Sequence, residues 1–301
     1  MAATLGPGST VAFIGLGRMG LPMASRLAAG GYRVRGFDVS AQAREAVAAL
    51  DGALAATSAA EAAAGADAVV LMLPASSHVR AVLVEDGLLD ALEAPVALID
   101  MSSSEPLETR ELAQRAAARG IELVDAPVSG GVRGAVEGTL TIMAGGSDDA
   151  VEACRPLLEA IGKSVRHVGD VGAGHALKAL NNMLSAVHLL ASCEALAIGR
   201  EFGLDPKVLV DTINVSTGRS ASTERKLPEF ILPATFNAGF ALSLMVKDVG
   251  IAVSLGEELG IPAALAQRAL AMWRQADDAL GAGADHTEIA RWVDAAEGAS
   301  L

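Results

Sequence analysis

A lysine inside an apolar helix is the first chemical signal in this sequence. Lys178 stands among Leu177, Ala179 and Leu180, in a segment from Gly174 to Phe202 that carries leucine or alanine on nearly every face. A charged ammonium fully buried there is costly, so the side chain must line a cavity, pair with a carboxylate or have a lowered pKa. Asn182 lies one turn further on the same face, and Asn181 flanks it. An ammonium and an amide aimed at one point can protonate and orient a carbonyl oxygen while hydride arrives at its carbon. The competing reading is a lysine that reaches solvent from a helix edge.

The second signal is a glycine loop. Residues 10–20 read TVAFIGLGRMG: an apolar strand, then Gly15, Leu16, Gly17, Arg18, Met19 and Gly20, then a helix opening at Leu21 and Pro22. In G-x-G-x-x-G spacing the first glycine allows the tight turn and the second lets the backbone approach a diphosphate. The third lets helix and strand pack closely. A second apolar run ends in Asp38, placed to accept hydrogen bonds from ribose hydroxyls and to repel a 2'-phosphate. NAD is therefore favoured, while Arg35 and Arg44 keep NADP open. Further cofactor contacts are expected where later strands end, at Leu73 and Pro74 and at Ser102 and Ser103. Ser129, Gly130 and Gly131 form a turn whose N–H groups and hydroxyl can hold an anion. Arg133 and Arg219 are candidates to shape a pocket for a second polar group.

These residues need a parallel sheet to position them, and the first half of the chain supplies its pattern. Strands are predicted at Val11–Ile14, Val34–Phe37, Val69–Leu73, Val96–Ile99, Leu123–Val128, Leu140–Met143 and Val165–Val168. Helices are predicted at Pro22–Ala29, Ala41–Leu50, Ser58–Ala64, Pro106–Arg119 and Asp148–Ile161. After residue 170 the strands stop. Helical patterns follow at Pro206–Asn214, Leu242–Leu259, Pro262–Leu280 and His286–Ala296, with Gly174–Phe202 as their central member. The fold class is α/β: a doubly wound, mostly parallel Rossmann sheet over 1–170, then an all-helical domain for substrate and oligomerisation over 171–301. Trp273, Trp292 and Phe240 read as core or subunit contacts.

Composition excludes other classes. The formal net charge is −13, from 23 Lys+Arg against 36 Asp+Glu, so the chain has no general attraction for nucleic acid or anionic lipid. A mean hydropathy of +0.40 reads as buried core, since no run of about 18 uncharged residues escapes Pro, Gly or Asn. The first ten residues lack the pattern of a signal or transit peptide. Cys154 and Cys193 have no metal-ligand spacing and suit buried thiols of a reducing cytoplasm.

Five stretches together resemble the beta-hydroxyacid dehydrogenase family: FIGLGRMGLPMA from Phe13, MLP from Met72, DAPVSGG from Asp125, GAGHALKALNN from Gly172 and GFALSLMVKD from Gly239. The resemblance implies that Gly15 to Gly20, Asp38, Leu73, Pro74, His78 and Ser103 hold the nicotinamide nucleotide. His78 stands where relatives often carry asparagine, and Ser103 where threonine is usual. It also implies Lys178 as general acid/base with Asn182 as its partner, Asn181 beside them, and the substrate carboxylate on Ser129, Gly130 and Gly131. Lys247 belongs beside the nicotinamide. Relatives are commonly dimers or tetramers, so a homo-oligomer acting on a small 3-hydroxy acid is expected. Competing readings are an imine reductase, a 6-phosphogluconate dehydrogenase-like enzyme and a dinucleotide-binding module without chemistry. The first usually lacks the lysine, and the second needs a longer helical domain and a basic phosphate site. Retention of Lys178 and Asn182 opposes the third.

Overall fold

In the computed structural model, which describes residues 4–296, the apolar runs of the first half pair as strands. Strands β1 (Thr10–Ile14), β2 (Arg33–Phe37), β3 (Ala53–Ala55), β4 (Ala68–Leu71), β5 (Ala97–Asp100) and β6 (Glu122–Asp125) lie parallel in the order β3-β2-β1-β4-β5-β6. β7 (Val128–Ser129), β8 (Leu140–Gly145) and β9 (Gly162–Gly169) complete the sheet, with β8 antiparallel to both β6 and β7. The single strand expected over Leu123–Val128 is thus two. Pro127 has no N–H to give to a ladder, and the chain changes partner there.

Period-2 alternation splits β1 between two cores. Val11 and Phe13 join Met23 and Leu27 of α1 (Gly20–Ala29) and Leu157 and Leu158 of α8 (Asp148–Ile161). Ala12 and Ile14 join Leu83, Leu88 and Leu112 on the other side. Strand order reverses at β1, between β2 and β4, and the carboxyl ends of β1 and β4 make the switch point where such sheets bind ligands. Three short helices escaped the sequence pattern: α4 (Ser76–Arg80), α5 (Leu88–Ala91) and α7 (Gly131–Glu137). Each is too short for a 3.6-residue period to show.

The predicted central helix is α9 (Ala173–Glu201), and the chain divides within it into compact units Met1–Lys178 and Ala179–Leu301. The sequence pattern puts the domain boundary between residues 170 and 171. The first turns of α9 stay with the sheet because Gly174 has no side chain: a Cβ there would strike the Met143 carbonyl oxygen. In the second unit, α10 (Pro206–Asn214), a π-helical stretch (Ser222–Ile231), α11 (Leu242–Glu258), α12 (Ala264–Leu280) and α13 (Ile289–Ala296) follow. Leu189, Cys193 and Leu196 of α9 pack with Val249, Leu270 and the fully buried Trp273. Phe240 and Trp292 lie partly buried against this core. Helix α9 is long and apolar enough to cross a membrane, but it carries this core. Burial pushes both thiols, Cys154 and Cys193, up to about 12, which leaves them inert.

Candidate active site

At the end of β1 the chain turns through Gly15, whose φ of +96° and whose approach to the Met72 carbonyl both require glycine. Gly20 opens α1 against the Gly15 carbonyl, where a Cβ would strike it. Gly17 differs: it is exposed, and a Cβ there would stand in open space. The two buried glycines make the turn, and the exposed one leaves a bare backbone at a helix N-terminus, a cradle that fits a diphosphate. Arg18 beside it is exposed, and Met19 packs on the core. The Asp38 carboxylate is fixed at the end of β2 by N–H donors from Leu16 at 2.7 Å and Ser40 at 2.8 Å. The Arg44 guanidinium lies close by, donating to the Asp38 and Val39 carbonyls at 2.7 and 3.1 Å.

The next two strand ends are tied together. Leu73 donates its N–H to Ser102 Oγ at 2.9 Å, and Ser102 donates its own to Asp100 Oδ1 at 2.9 Å. Ser104 Oγ donates to the other Asp100 oxygen at 2.9 Å. Leu73 and Ser103 are partly exposed beside this knot, while Pro74 and His78 are exposed. Ser129 is partly buried at the end of β7, and Gly130 and Gly131, both with positive φ, lead exposed into α7. Arg133 pairs with Glu137 at 2.8 Å along that helix. In the second unit Arg219 borders a hollow of about 380 Å³ with Asn214, Ser216 and Thr217.

Helix α9 is fastened at its start by Asp125, whose two oxygens accept N–H bonds from Gly172 at 2.6 Å and His175 at 2.8 Å. Burial pushes the Asp125 carboxyl up, while the adjacent His175 and these N–H donors pull it down. Lys178 follows one turn later and is 9% exposed. Asn182, another turn on, is also buried; it donates Nδ2 to Asp248 Oδ2 at 2.5 Å and accepts from Asn181 at 3.1 Å. Lys247 Nζ is 3.0 Å from Asp248 Oδ1, an ion-pair distance. Both residues lie in the second turn of α11. The structure thus brings together Asn181, Asn182 and Lys247 through Asp248, which sequence reasoning assigned no role. His175 and Thr109 were also missed. A charged pair inside an apolar helix was the available signal for Asp248, and a polar residue beside the Gly172–Gly174 turn the one for His175.

Residues 10–169 match the family model described as the NAD binding domain of 6-phosphogluconate dehydrogenase. Residues 172–293 match the one described as the NAD-binding of NADP-dependent 3-hydroxyisobutyrate dehydrogenase. The chain belongs to the beta-hydroxyacid dehydrogenase family. It is 42% identical to 2-(hydroxymethyl)glutarate dehydrogenase of Eubacterium barkeri, with 84% of each chain covered. It is 40% identical to NAD-dependent L-serine dehydrogenase of Pseudomonas aeruginosa, over 88% of this chain and 91% of the relative. A solved structure of Mycobacterium tuberculosis 3-hydroxyisobutyrate dehydrogenase with L-serine superposes with a TM-score of 0.88 at 34% identity, covering 95% of this chain and 99% of that one. This member of the beta-hydroxyacid dehydrogenases is accordingly an NAD(P)-dependent oxidoreductase with the sheet and helical domains of its relatives.

Proposed function

We propose that the dehydrogenase oxidises a short 3-hydroxy acid to its semialdehyde or keto acid, with NAD preferred and Lys178 taking the hydroxyl proton. The observation that carries this is the pairing on α9: Lys178 and Asn182, both buried, one turn apart on one face, with Asn182 held in place by Asp248. Nicotinamide, when bound, supplies the hydride acceptor. The hydroxyl proton passes to Lys178 Nζ as the C–O bond becomes a carbonyl, and Asn182 orients that oxygen. Ser129, Gly130 and Gly131 hold the substrate carboxylate through a hydroxyl and N–H groups. The relatives named for 2-(hydroxymethyl)glutarate, L-serine and 3-hydroxyisobutyrate suggest the shared unit: a hydroxymethyl group one carbon away from a carboxylate. Glycerate carries the same unit, and threonate is a longer 3-hydroxy acid.

Asp38 supports the preference for NAD, since its fixed carboxylate repels a 2'-phosphate. The two free, buried thiols support a reducing cytoplasm as the enzyme's compartment. The test is a panel of short 3-hydroxy acids with NAD and NADP in parallel, on the wild type and on Lys178→Ala. Expected are a kcat/KM with NAD at least about tenfold above that with NADP, and a loss of about 10²-fold or more in the variant. A folded Lys178→Ala enzyme that keeps more than a few per cent of turnover overturns the role of the lysine. Activity with NADP alone overturns the argument from Asp38.

A further inference from the structure

His175 is fully buried at the start of α9, and its imidazole is used at both nitrogens. Nε2 lies 3.1 Å from the Ser102 carbonyl oxygen, which can only accept, so this nitrogen carries a proton and donates. Nδ1 lies 2.8 Å from Thr109 Oγ1, and that hydroxyl is also 3.0 Å from the Glu105 carbonyl. The charged groups facing the ring are the carboxylates of Asp100 and Asp125, each 3.8 Å away. Ser102 in turn receives Leu73 N–H on its hydroxyl and gives its own N–H to Asp100. The imidazole therefore joins the loop after β4, the loop after β5 and the helix that carries Lys178. Leu73 and Ser103, expected to touch the nucleotide, sit in those two loops.

Asp125 fixes the start of α9 through the backbone N–H groups of Gly172 and His175. Backbone anchors at one turn fix where a helix begins, but they leave its rotation about its own axis less determined. The ring supplies that constraint, and Lys178 is three residues away, on the adjoining part of the same face. We propose that His175 is a positioning residue: it ties the cofactor-contact loops at Leu73 and Ser102 to α9 and so sets where the Lys178 amine points. This rests on the reading of Lys178 as proton acceptor. Cofactor affinity and proton transfer are thereby linked through one buried side chain. A small rotation at such a junction is enough to cost about 10²-fold in rate.

The test compares His175→Leu and His175→Gln with the wild type and with Lys178→Ala. Glutamine retains a donor for the Ser102 carbonyl and an acceptor for Thr109. Four quantities are measured on the intact enzyme: NADH affinity by fluorescence titration, kcat, KM for the hydroxy acid, and the pH profile of kcat. The leucine variant is expected to lose about 10- to 100-fold in kcat with KM little changed, to bind NADH several-fold more weakly, and to shift the lysine-dependent limb of the profile. The glutamine variant is expected to recover most of each. A leucine variant with lowered thermal stability but wild-type kcat, profile and NADH affinity overturns the proposal, as does a glutamine variant no better than leucine. Should the leucine variant fail to fold, Thr109→Val keeps the ring and removes the Nδ1 contact along with the hydroxyl's bond to the Glu105 carbonyl, and it must move kcat and NADH affinity in the same direction; no movement overturns the proposal. Lys178→Ala separates the two readings: if it stays active, the role of the lysine falls and this inference with it. If it is inactive while His175→Leu turns over normally, only the inference falls.

Discussion

At the residue scale, Asp248 decides what Asn182 can do. It is 2% exposed in α11, and the 2.5 Å bond to Asn182 Nδ2 is charge-assisted. Lys247, partly buried beside it, has the same carboxylate as counter-charge. Asp248→Ala leaves both groups without that partner, and we expect it to cost about 2–3 kcal/mol of stability. Turnover is expected to fall by about 10- to 100-fold because the Asn182 amide is no longer aimed. Asp248→Asn keeps an acceptor for the amide and loses only the charge, so it recovers part of the turnover. Thermal melts and kcat on the two variants check this; a normal kcat in the alanine variant removes Asp248 from the site. Asp248 lies 66 residues from Asn182 in sequence, and His175 lies 73 from Ser102. Such pairings are made by the fold, and no local spacing announces them. The glycine loop and Asp38 were legible because their partners lie within one strand-helix-strand unit: Asp38 is 22 residues from Leu16.

At the scale of elements, what was readable is what is apolar over a long enough run. The core strands are continuous apolar runs, buried over their whole length, and α9 is long, so both appear in sequence; α7, seven residues with two glycines, does not. The π-helical stretch Ser222–Ile231 was hidden too, since its turn is not 3.6 residues and Pro228 lies inside it. That stretch turns Lys226 toward α9, where its Nζ donates to Ser185 Oγ at 3.0 Å. Burial pushes the Lys226 amine down to about 8, against the pull of Cys193 and Asp285. The unfolded chain, near the usual 10.5, then holds a proton that the native state has released between about pH 8 and 10.5. Stability contributed by this group therefore rises with pH across that window, and the cost of the buried charge is present in full below it. Lys226→Met is expected to stabilise the protein by about 1–2 kcal/mol at pH 7, after the loss of the Ser185 bond. The gain should shrink toward pH 10.5. Denaturant unfolding of both proteins at pH 7 and pH 10 measures it; an equal difference at the two pH values shows that the amine does not titrate in this range.

At the scale of the molecule, the helical unit exposes a stripe of apolar side chains along α9. On α9, Leu184, Ala191 and Ile198 are exposed and seven residues apart, as are His188, Ala195 and Phe202. Ile198 is 67% and Phe202 83% exposed, while Leu189, Cys193 and Leu196 on the opposite side fill the core. A seam repeating every seven residues is the pattern with which one helix packs against another along its length. A second copy of this chain offers the same seam, and we predict that the homodimer or homotetramer expected from the sequence would assemble through this face. The net charge of −13 sets the sign of the salt effect. Two such chains repel at long range, and screening relieves that repulsion without weakening apolar contact, so association is expected to strengthen between about 20 and 300 mM salt. Light scattering on the wild type should give a mass of at least two chains at micromolar concentration. Leu184→Glu with Ile198→Glu should shift it toward one, with melting little changed because neither side chain belongs to the core. A monomeric wild type, or a double variant that assembles as before, removes this face of α9 as the interface.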